Sequence, residues 1–598
     1  MNVRNKHNAV EPSNKILSPW MLLMGSVLTC AFSNAALAQS GPSPLPSRDE
    51  LETAPLKSVT QAPKIEVSGD IERSPCALAD PAYSAIKFTL TEATFNNLGP
   101  VSADDMRASY AQYIGNEQPI AIICEIRDAA ATLLRQRGYL AAVEVPVQRI
   151  ENGVIQLEVL YGKLTAIRVQ GVPGNNAKLL ENMLNKLVTG QPFNRFDAER
   201  HLLLARDIPG YQMRLTLKPT GATPGELIGE VVLKYTPVEA DFSFQNFAPR
   251  DTGRFGGQLR AQFNGLTGLG DRTAISFYST ADFREQQILQ ATHETFLGSS
   301  GLKLAARINY AWSQPSLGAA FPDVKAKTLF ASSELSYPLI QRLAGSLRGA
   351  LGLDYVNQKV DFGGIPLSRD RIRTAFVRID GETADREGIG PGGSVGWRFG
   401  GSVEARRGLD LWRASPNCVT NPAVCTAAGF VPPSLLDGDP TPTIFRGAAF
   451  ADIRVIRNLS VAIQARGQTS KSALPAFEQF SVGNYTIGRG YDPGVAVGDR
   501  GAGFSSEIRI DNVRLSQSGK LRLQPYLFVD NAWTWNRGIG GSQKISSLGG
   551  GLRLNLADKA RIDAAVAIPT RSTAGFNQSG KARFLISFST ALLPWRTR

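Results

Sequence analysis

From Tyr235 onward the chain alternates apolar and polar residues with a period of two and shows no helical periodicity. In 302–310, Leu302, Leu304, Ala306, Ile308 and Tyr310 share one face, and Lys303, Ala305, Arg307 and Asn309 the other. Leu347, Gly349, Leu351, Leu353 and Tyr355 repeat the pattern opposite Ser346, Arg348 and Asp354, as do Ile562, Ala564, Val566 and Ile568 opposite Arg561 and Asp563. Each run has about the 9–11 residues that a tilted membrane strand needs. A soluble β-sandwich alternates in the same way, but over ~100 residues, not the ~360 found here. Roughly 22 residues per strand and connection gives ~16 strands, an even number suited to a closed bacterial barrel. Residues 239–598 are therefore predicted to form a transmembrane antiparallel β-barrel. Its scattered arginines would face a water-filled lumen.

The N-terminal residues set the compartment. Arg4, Lys6 and Lys15 precede an apolar stretch from Ile16 to Phe32, and Ala36-Leu37-Ala38 fits a small-x-small cleavage site. Residues 1–38 read as a secretory signal peptide, too short in its apolar part for a spanning helix. Residues 39–76 follow as a linker, with Pro42, Pro44, Pro46, Pro55, Pro63 and Pro75 and no apolar period.

Two similar units, 77–162 and 163–238, separate linker and barrel, each in the order β-α-α-β-β. In the first, a strand is expected around Ile86, Phe88 and Leu90, and a helix from the cap Ser102 to Tyr113. A second helix over Cys124–Arg137 and a hairpin follow, with Val143, Val145 and Val147 turning at 151–153 into Ile155, Leu157 and Val159. The second is expected to have a strand over 164–170, helices around 177–188 and 196–206, and strands over 211–218 and 227–235. Units of ~75 residues are too small for an enzyme domain with its own deep cleft.

Export fits the cysteines. Cys30 leaves with the signal peptide, and Cys76, Cys124, Cys418 and Cys425 remain as an even set with no metal-ligand spacing. Two disulfides are the simpler account, Cys418 with Cys425 closing a small loop and Cys76 with Cys124 pinning the first unit. The formal charge is +13, of which residues 1–38 carry a net two through Arg4, Lys6, Lys15 and Glu11. No basic-aromatic motif accompanies this charge, so nucleic acid is not expected as a partner. Three scattered histidines, no Gly-x-Ser-x-Gly elbow and no phosphate loop argue against catalysis, and no metal or cofactor is expected.

Two motifs in the barrel region remain. Gly483–Asp492 (GNYTIGRGYD) places Arg489, Gly490 and Tyr491 in a glycine-rich loop between two strands, and Phe528-Val529-Asp530-Asn531-Ala532 lies in a later strand. The first resembles the signature loop of the Omp85 superfamily, which folds back into its own barrel. The second resembles that family's Phe-x-Asp-x-Gly motif, with Ala532 for the last glycine. The paired units resemble POTRA domains, and Gly190-Gln191-Pro192-Phe193 before a helix with Arg200, Leu203 and Arg206 is similar to the second POTRA of the haemolysin-secretion type. Together they resemble a two-partner secretion transporter.

That resemblance implies an outer-membrane barrel with periplasmic POTRA domains that passes an unfolded exoprotein to the cell surface. It also implies that Arg489 pairs with Asp530 in the lumen, beside Phe528, and that a short helix plugs the pore, for which Ser47–Ala54 is the candidate. Outer-membrane lipid and, during biogenesis, the barrel-assembly machinery are the other implied partners. An assembly factor of the same superfamily and a general porin are the alternative readings. Assembly factors usually carry three to five POTRA units, and a porin none.

Overall fold

The computed structural model describes residues 48–52, 67–68, 75–221, 223–316, 322–385, 396–511, 513–515, 520–537, 541–557, 559–573 and 580–594. The expected signal peptide and most of the linker lie outside these described residues.

In the first unit Glu92–Asn96 runs parallel to Val154–Tyr161, which pairs antiparallel with Ala141–Glu144. The amphipathic helix Ile122–Gln136 lays Ile123, Ile126, Ala130 and Leu134 on Ile155, Leu157 and Val159 of that sheet. The expected first strand is displaced. Lys87–Thr89 pairs only with Glu117–Pro119, and the strand that enters the sheet starts two residues after the fully buried Leu90. The hairpin arm also stops at Glu144, leaving Val145 and Val147 outside it, because Pro146 has no N–H for the ladder. Ser102 caps a helix through a reciprocal bond with Asp105, but only Ala103–Met106 is α-helical before 3₁₀ turns take over. Cys76 and Cys124 form a disulfide that ties the unit's start to the first turn of helix Ile122–Gln136.

In the second unit the central strand Glu226–Tyr235 lies between Lys163–Gln170, parallel to it, and Tyr211–Pro219, antiparallel. Helices Ala177–Leu184 and Arg195–Arg206 bury Leu180, Met183, Leu202 and Ala205 against Met213, Leu215 and Val231. The linker dipeptide Val67–Ser68 pairs in parallel with Leu215 and Thr216 at the free side of Tyr211–Pro219.

This unit is fastened to one end of the barrel. Asn176 Oδ1 accepts from Gly270 N at 3.0 Å, Lys186 donates to Ser299 O at 3.1 Å, and Glu199 accepts from Leu343 N. Arg200 donates to Pro338 O at 3.0 Å and lies over the Tyr337 ring.

The barrel is closed, antiparallel and 16-stranded. Its first strand, Val238–Gln245, pairs with its last, Arg583–Leu593, from Ala240 opposite Leu593 to Gln245 opposite Ser587. Closure leaves no open sheet edge, which hydrocarbon would not tolerate. Leu351, Val377, Val403 and Leu527 are exposed on the outer wall, while Asp354, Arg406, Glu507 and Asp530 are buried within. Three consecutive strands, Val324–Arg342, Gly345–Phe362 and Ile365–Ala384, have 19, 18 and 20 residues, far more than a membrane crossing needs. The excess rises at the end away from the two α+β units. There the loop 409–442, closed by the Cys418–Cys425 disulfide, packs on the extension through Leu409 N to Arg373 O and Arg369 N to Pro432 O.

Candidate functional site in the barrel lumen

The loop 471–499 connects strands Leu459–Ser470 and Arg500–Ile510 at the outer mouth and folds back inside. Two short strands, Phe480–Val482 and Ala496–Gly498, pair within it. Phe480, Val482, Ile487, Tyr491 and Val495 pack together against Ala532 and Ile545 of the wall. The apolar side chains of a polar-looking loop thus find a core on the inside of the barrel. Gly488 has φ of +121° and a Cβ there would run into Ile545. Gly490 is needed for a different reason: its φ is ordinary, but a Cβ would lie 2.9 Å from Pro569 N and Ser547 Cβ.

Between these glycines Arg489 meets the wall. Its Nη2 and Nε donate to the two carboxylate oxygens of Asp530 at 2.7 and 3.0 Å, a bidentate pair, and its backbone N donates to Asp530 at 2.9 Å. Nη1 donates to Glu507 at 2.6 Å, Nη2 also to Ser505 at 2.8 Å, and the guanidinium carbon lies 3.5 Å from the Phe528 ring centroid. Asp530 accepts further bonds from Ser505 and Ser547, and its side chain is 1% exposed. Tyr491 is turned away from the lumen and fully buried, its hydroxyl shared between the carbonyls of Ser546 and Arg571. The structure thus brings Arg489, Gly490, Asp530 and Phe528 together, keeps Tyr491 as a packing residue, and leaves all four cysteines elsewhere.

No motif in the sequence singles out Glu507, Ser505 or Arg553. Glu507 joins Arg489 to Arg553, which donates to it at 2.9 Å and in turn to Asp563 at 2.8 Å. Register explains the grouping: Ser505 lies opposite Asp530, Glu507 opposite Phe528, and Arg553 opposite Asp563.

A second charged cluster lies further round the wall. Helix Arg48–Glu52 sits inside the barrel, part of the segment Ser47–Ala54. Arg48 donates to Asp354 at 2.8 Å and to Glu478 of the same inward loop at 3.2 Å. Arg406 bridges the same two carboxylates, Arg446 donates to Glu478 at 2.8 Å, and Arg466 to Asp49 at 2.8 Å. Leu51 packs with Phe330, Val356 and Phe477, and its carbonyl accepts from Asn309 at 2.7 Å and Gln290 at 3.0 Å. No strand ladder holds the helix. Beside it the lumen keeps a cavity of about 680 Å³ with polar walls, including Thr292, Arg307, Ser332 and Ser402.

A closed 16-stranded barrel with two α+β units at one end and an inward loop fastened to its wall has the architecture of an outer-membrane barrel. Comparison with known proteins narrows the class. The model of the family described as haemolysin secretion/activation protein ShlB/FhaC/HecB matches residues 398–554, and that of the ShlB-type POTRA domain matches 88–162. The heme/hemopexin transporter protein HuxB of Haemophilus influenzae is 21% identical over 96% of this chain and 99% of its own. The outer membrane transporter CdiB of Dickeya dadantii is 22% identical over 43% of this chain and 44% of its own. The solved structure of CdiB from Escherichia coli superposes with a TM-score of 0.66 at 16% identity, covering 97% of this chain and all of that one. These matches and likenesses make the chain similar to the two-partner secretion transporters of the outer membrane, which carry an exoprotein to the cell surface.

Proposed function

We propose that the partner exoprotein crosses unfolded through the lumen, and that the two charged clusters set when and how it does so. The observation that carries this reading is the manner in which the lumen is occupied. Helix 48–52 is held by ion pairs and two carbonyl bonds, which an arriving polar chain can replace one by one without breaking any sheet. Loop 471–499 is held by the Arg489–Asp530 lock, which keeps its tip against the wall while chain passes. The POTRA pair receives the cargo, lipid covers the outer wall, and the barrel-assembly machinery inserts the barrel. No catalytic step is part of this scheme.

An extended cargo adds to a free sheet edge. In the first unit the hairpin 141–161 offers the edge strand Ala141–Glu144. In 211–235 neither strand is a fully free edge: Glu226–Tyr235 is paired on both sides, and Tyr211–Pro219 carries Val67–Ser68 beside Leu215 and Thr216. Translocation is tested with a partner exoprotein fused to a tightly folded domain, which jams in transit. A photoreactive residue at Ser402 or Ser332, in the cavity wall, is expected to crosslink to the jammed chain. The same residue at Leu351, on the lipid face, is expected not to. Absence of lumen crosslinks during active secretion would refute passage through the barrel.

A further inference from the structure

The three long strands carry an unusual outer rim. On Val324–Arg342 the outward residues run Lys325, Lys327, Leu329, Ala331, Ser333, Leu335, Tyr337 and Leu339, two cations followed by a mainly apolar descent. Leu329 to Leu339, at roughly 3.3 Å per residue and a tilt of about 40°, covers about 25 Å, the height of a barrel's apolar band. The two lysines therefore stand just above the hydrocarbon, on the cell-surface side.

Register extends this rim sideways. Trp312 lies opposite Lys327, Lys327 opposite Lys359, and Lys359 opposite Arg369, so one aromatic and three cations form a row across four adjacent strands. Arg371 stands one outward position below Arg369. The acidic residues nearby are engaged. Asp361 pairs with Lys359 at 2.9 Å, and Asp282 accepts from Thr280 and from the backbone of Arg284. Lys325 and Lys327 are exposed and carry no ion pair among the described residues. Beside them the surface dips into a cleft of about 420 Å³ lined by Phe277, Trp312, Gln287, Arg284, Lys325 and Lys327. One wall is cationic and the other aromatic, and beside it Leu289, opposite Phe277, and Ile308 continue the apolar surface.

We propose that this cleft is a binding site for a phosphorylated glycolipid of the outer leaflet. The phosphate sits on Lys325, Lys327 and Arg284, and the acyl chains lie along Phe277, Trp312 and Leu289. Only a ligand with an anionic head and an apolar body matches both walls at this height. A free phosphate would leave the aromatic wall unused, and a soluble polyanion would have to approach a surface immersed in lipid. Such a lipid would brace the long strands that support the outer loop 409–442.

The test is native mass spectrometry of the full-length protein extracted in mild detergent, probed with bisphosphoryl lipid A, monophosphoryl lipid A and inorganic phosphate. Lys325→Glu/Lys327→Glu is expected to retain bisphosphoryl lipid A about tenfold less than the parent protein, or weaker still. The monophosphoryl form should bind more weakly than the bisphosphoryl, and millimolar inorganic phosphate should not displace either. Lys178→Glu, on a periplasmic helix, is the control for charge reversal away from the cleft and should leave retention unchanged. Heat-modifiable migration shows that each variant is folded; if the double glutamate variant is not, Lys325→Gln/Lys327→Gln decides, with a loss in the same direction. Equal retention by the folded variant, equal binding of the two lipid forms, loss in the Lys178→Glu control, or displacement by inorganic phosphate would each overturn the proposal.

Discussion

The two charged clusters of the lumen use the same chemistry to opposite ends. Around Arg489 the cation comes from a loop continuous with two barrel strands, and its guanidinium meets Asp530 through two parallel bonds. Around Arg48 the cation comes from a five-residue helix whose nearest chain neighbours are a linker, and its guanidinium is divided between Asp354 and Glu478. An eight-residue apolar core backs the first cluster, whereas the second has Leu51 alone from the helix side. Both sets of carboxylates are almost wholly desolvated, so removing a cation from either costs on the order of 3–5 kcal/mol locally. In the lock that cost falls on the fixed wall. In the plug it is avoided whenever another cation or water reaches the same carboxylates. On the proposed function, the same residue types make a permanent joint or a removable stopper, according to how the cation is tethered.

The largest effect is expected at the lock. Arg489→Ala and Asp530→Ala should each reduce secretion by about 10²-fold or more while leaving an assembled, heat-modifiable barrel, because each variant leaves the other charge buried and unpaired. The double variant should be no worse than either single one, since both remove one interaction. Arg489→Lys should also impair secretion, because an ammonium cannot span both oxygens of Asp530. Normal secretion by both single variants would remove the lock from the mechanism. Burial sets this pair apart from an exposed one, which would be worth only ~0.2–1 kcal/mol.

A smaller effect is expected at the plug. Arg48→Glu should raise the open probability of single channels in planar bilayers by about tenfold, since a carboxylate is repelled by Asp354 and Glu478. Raising salt to ~1 M should open the parent channel in the same sense, through the partly exposed Asp49–Arg466 pair, and leave the deeper lock unaffected. If channel opening responds equally to Arg489→Lys and Arg48→Glu, the distinction between joint and stopper fails.

The smallest effect lies outside the lumen and serves as its control. Burial, with Lys186 and Arg200 nearby, holds His201 below its ordinary value of 6.5. The unfolded chain then binds the proton more readily, so stability is complete above pH ~6.5 and declines as pH falls below it. Denaturant melts at pH ~8 and pH ~5.5 should differ by under about 1 kcal/mol from this group, and His201→Gln should remove that part. The ion pairs of the lock include no histidine, so secretion defects of its variants should not track this transition.

Much of the molecule is legible in the order of its residues. Period-two alternation from Tyr235 onward specifies strands, because a strand's side chains must alternate between lipid and lumen whatever its partners are. The second α+β unit is legible for the same local reason: caps, turns and apolar period lie within a few residues of what they control. In the first unit a local signal is outvoted. Ile86–Leu90 alternates like a strand, yet Glu92–Asn96 takes the parallel place beside Val154–Tyr161, a choice made by a partner about 60 residues away. Pro146 ends the hairpin arm, and that signal is present in the sequence.

The site divides along the same line. Motifs point to Arg489 and Asp530, but Glu507 and Ser505 need strand register, which the alternation alone does not specify between one allowed pairing and the next. Arg48 lies 306 residues from Asp354 and 430 from Glu478, and no local pattern relates them. The sequence by itself determined which residues face water inside a barrel and which face lipid, since that follows from a two-residue period. Only the tertiary structure decided which buried charges meet, because a closed barrel brings together side chains whose separation along the chain carries no trace of their separation in space.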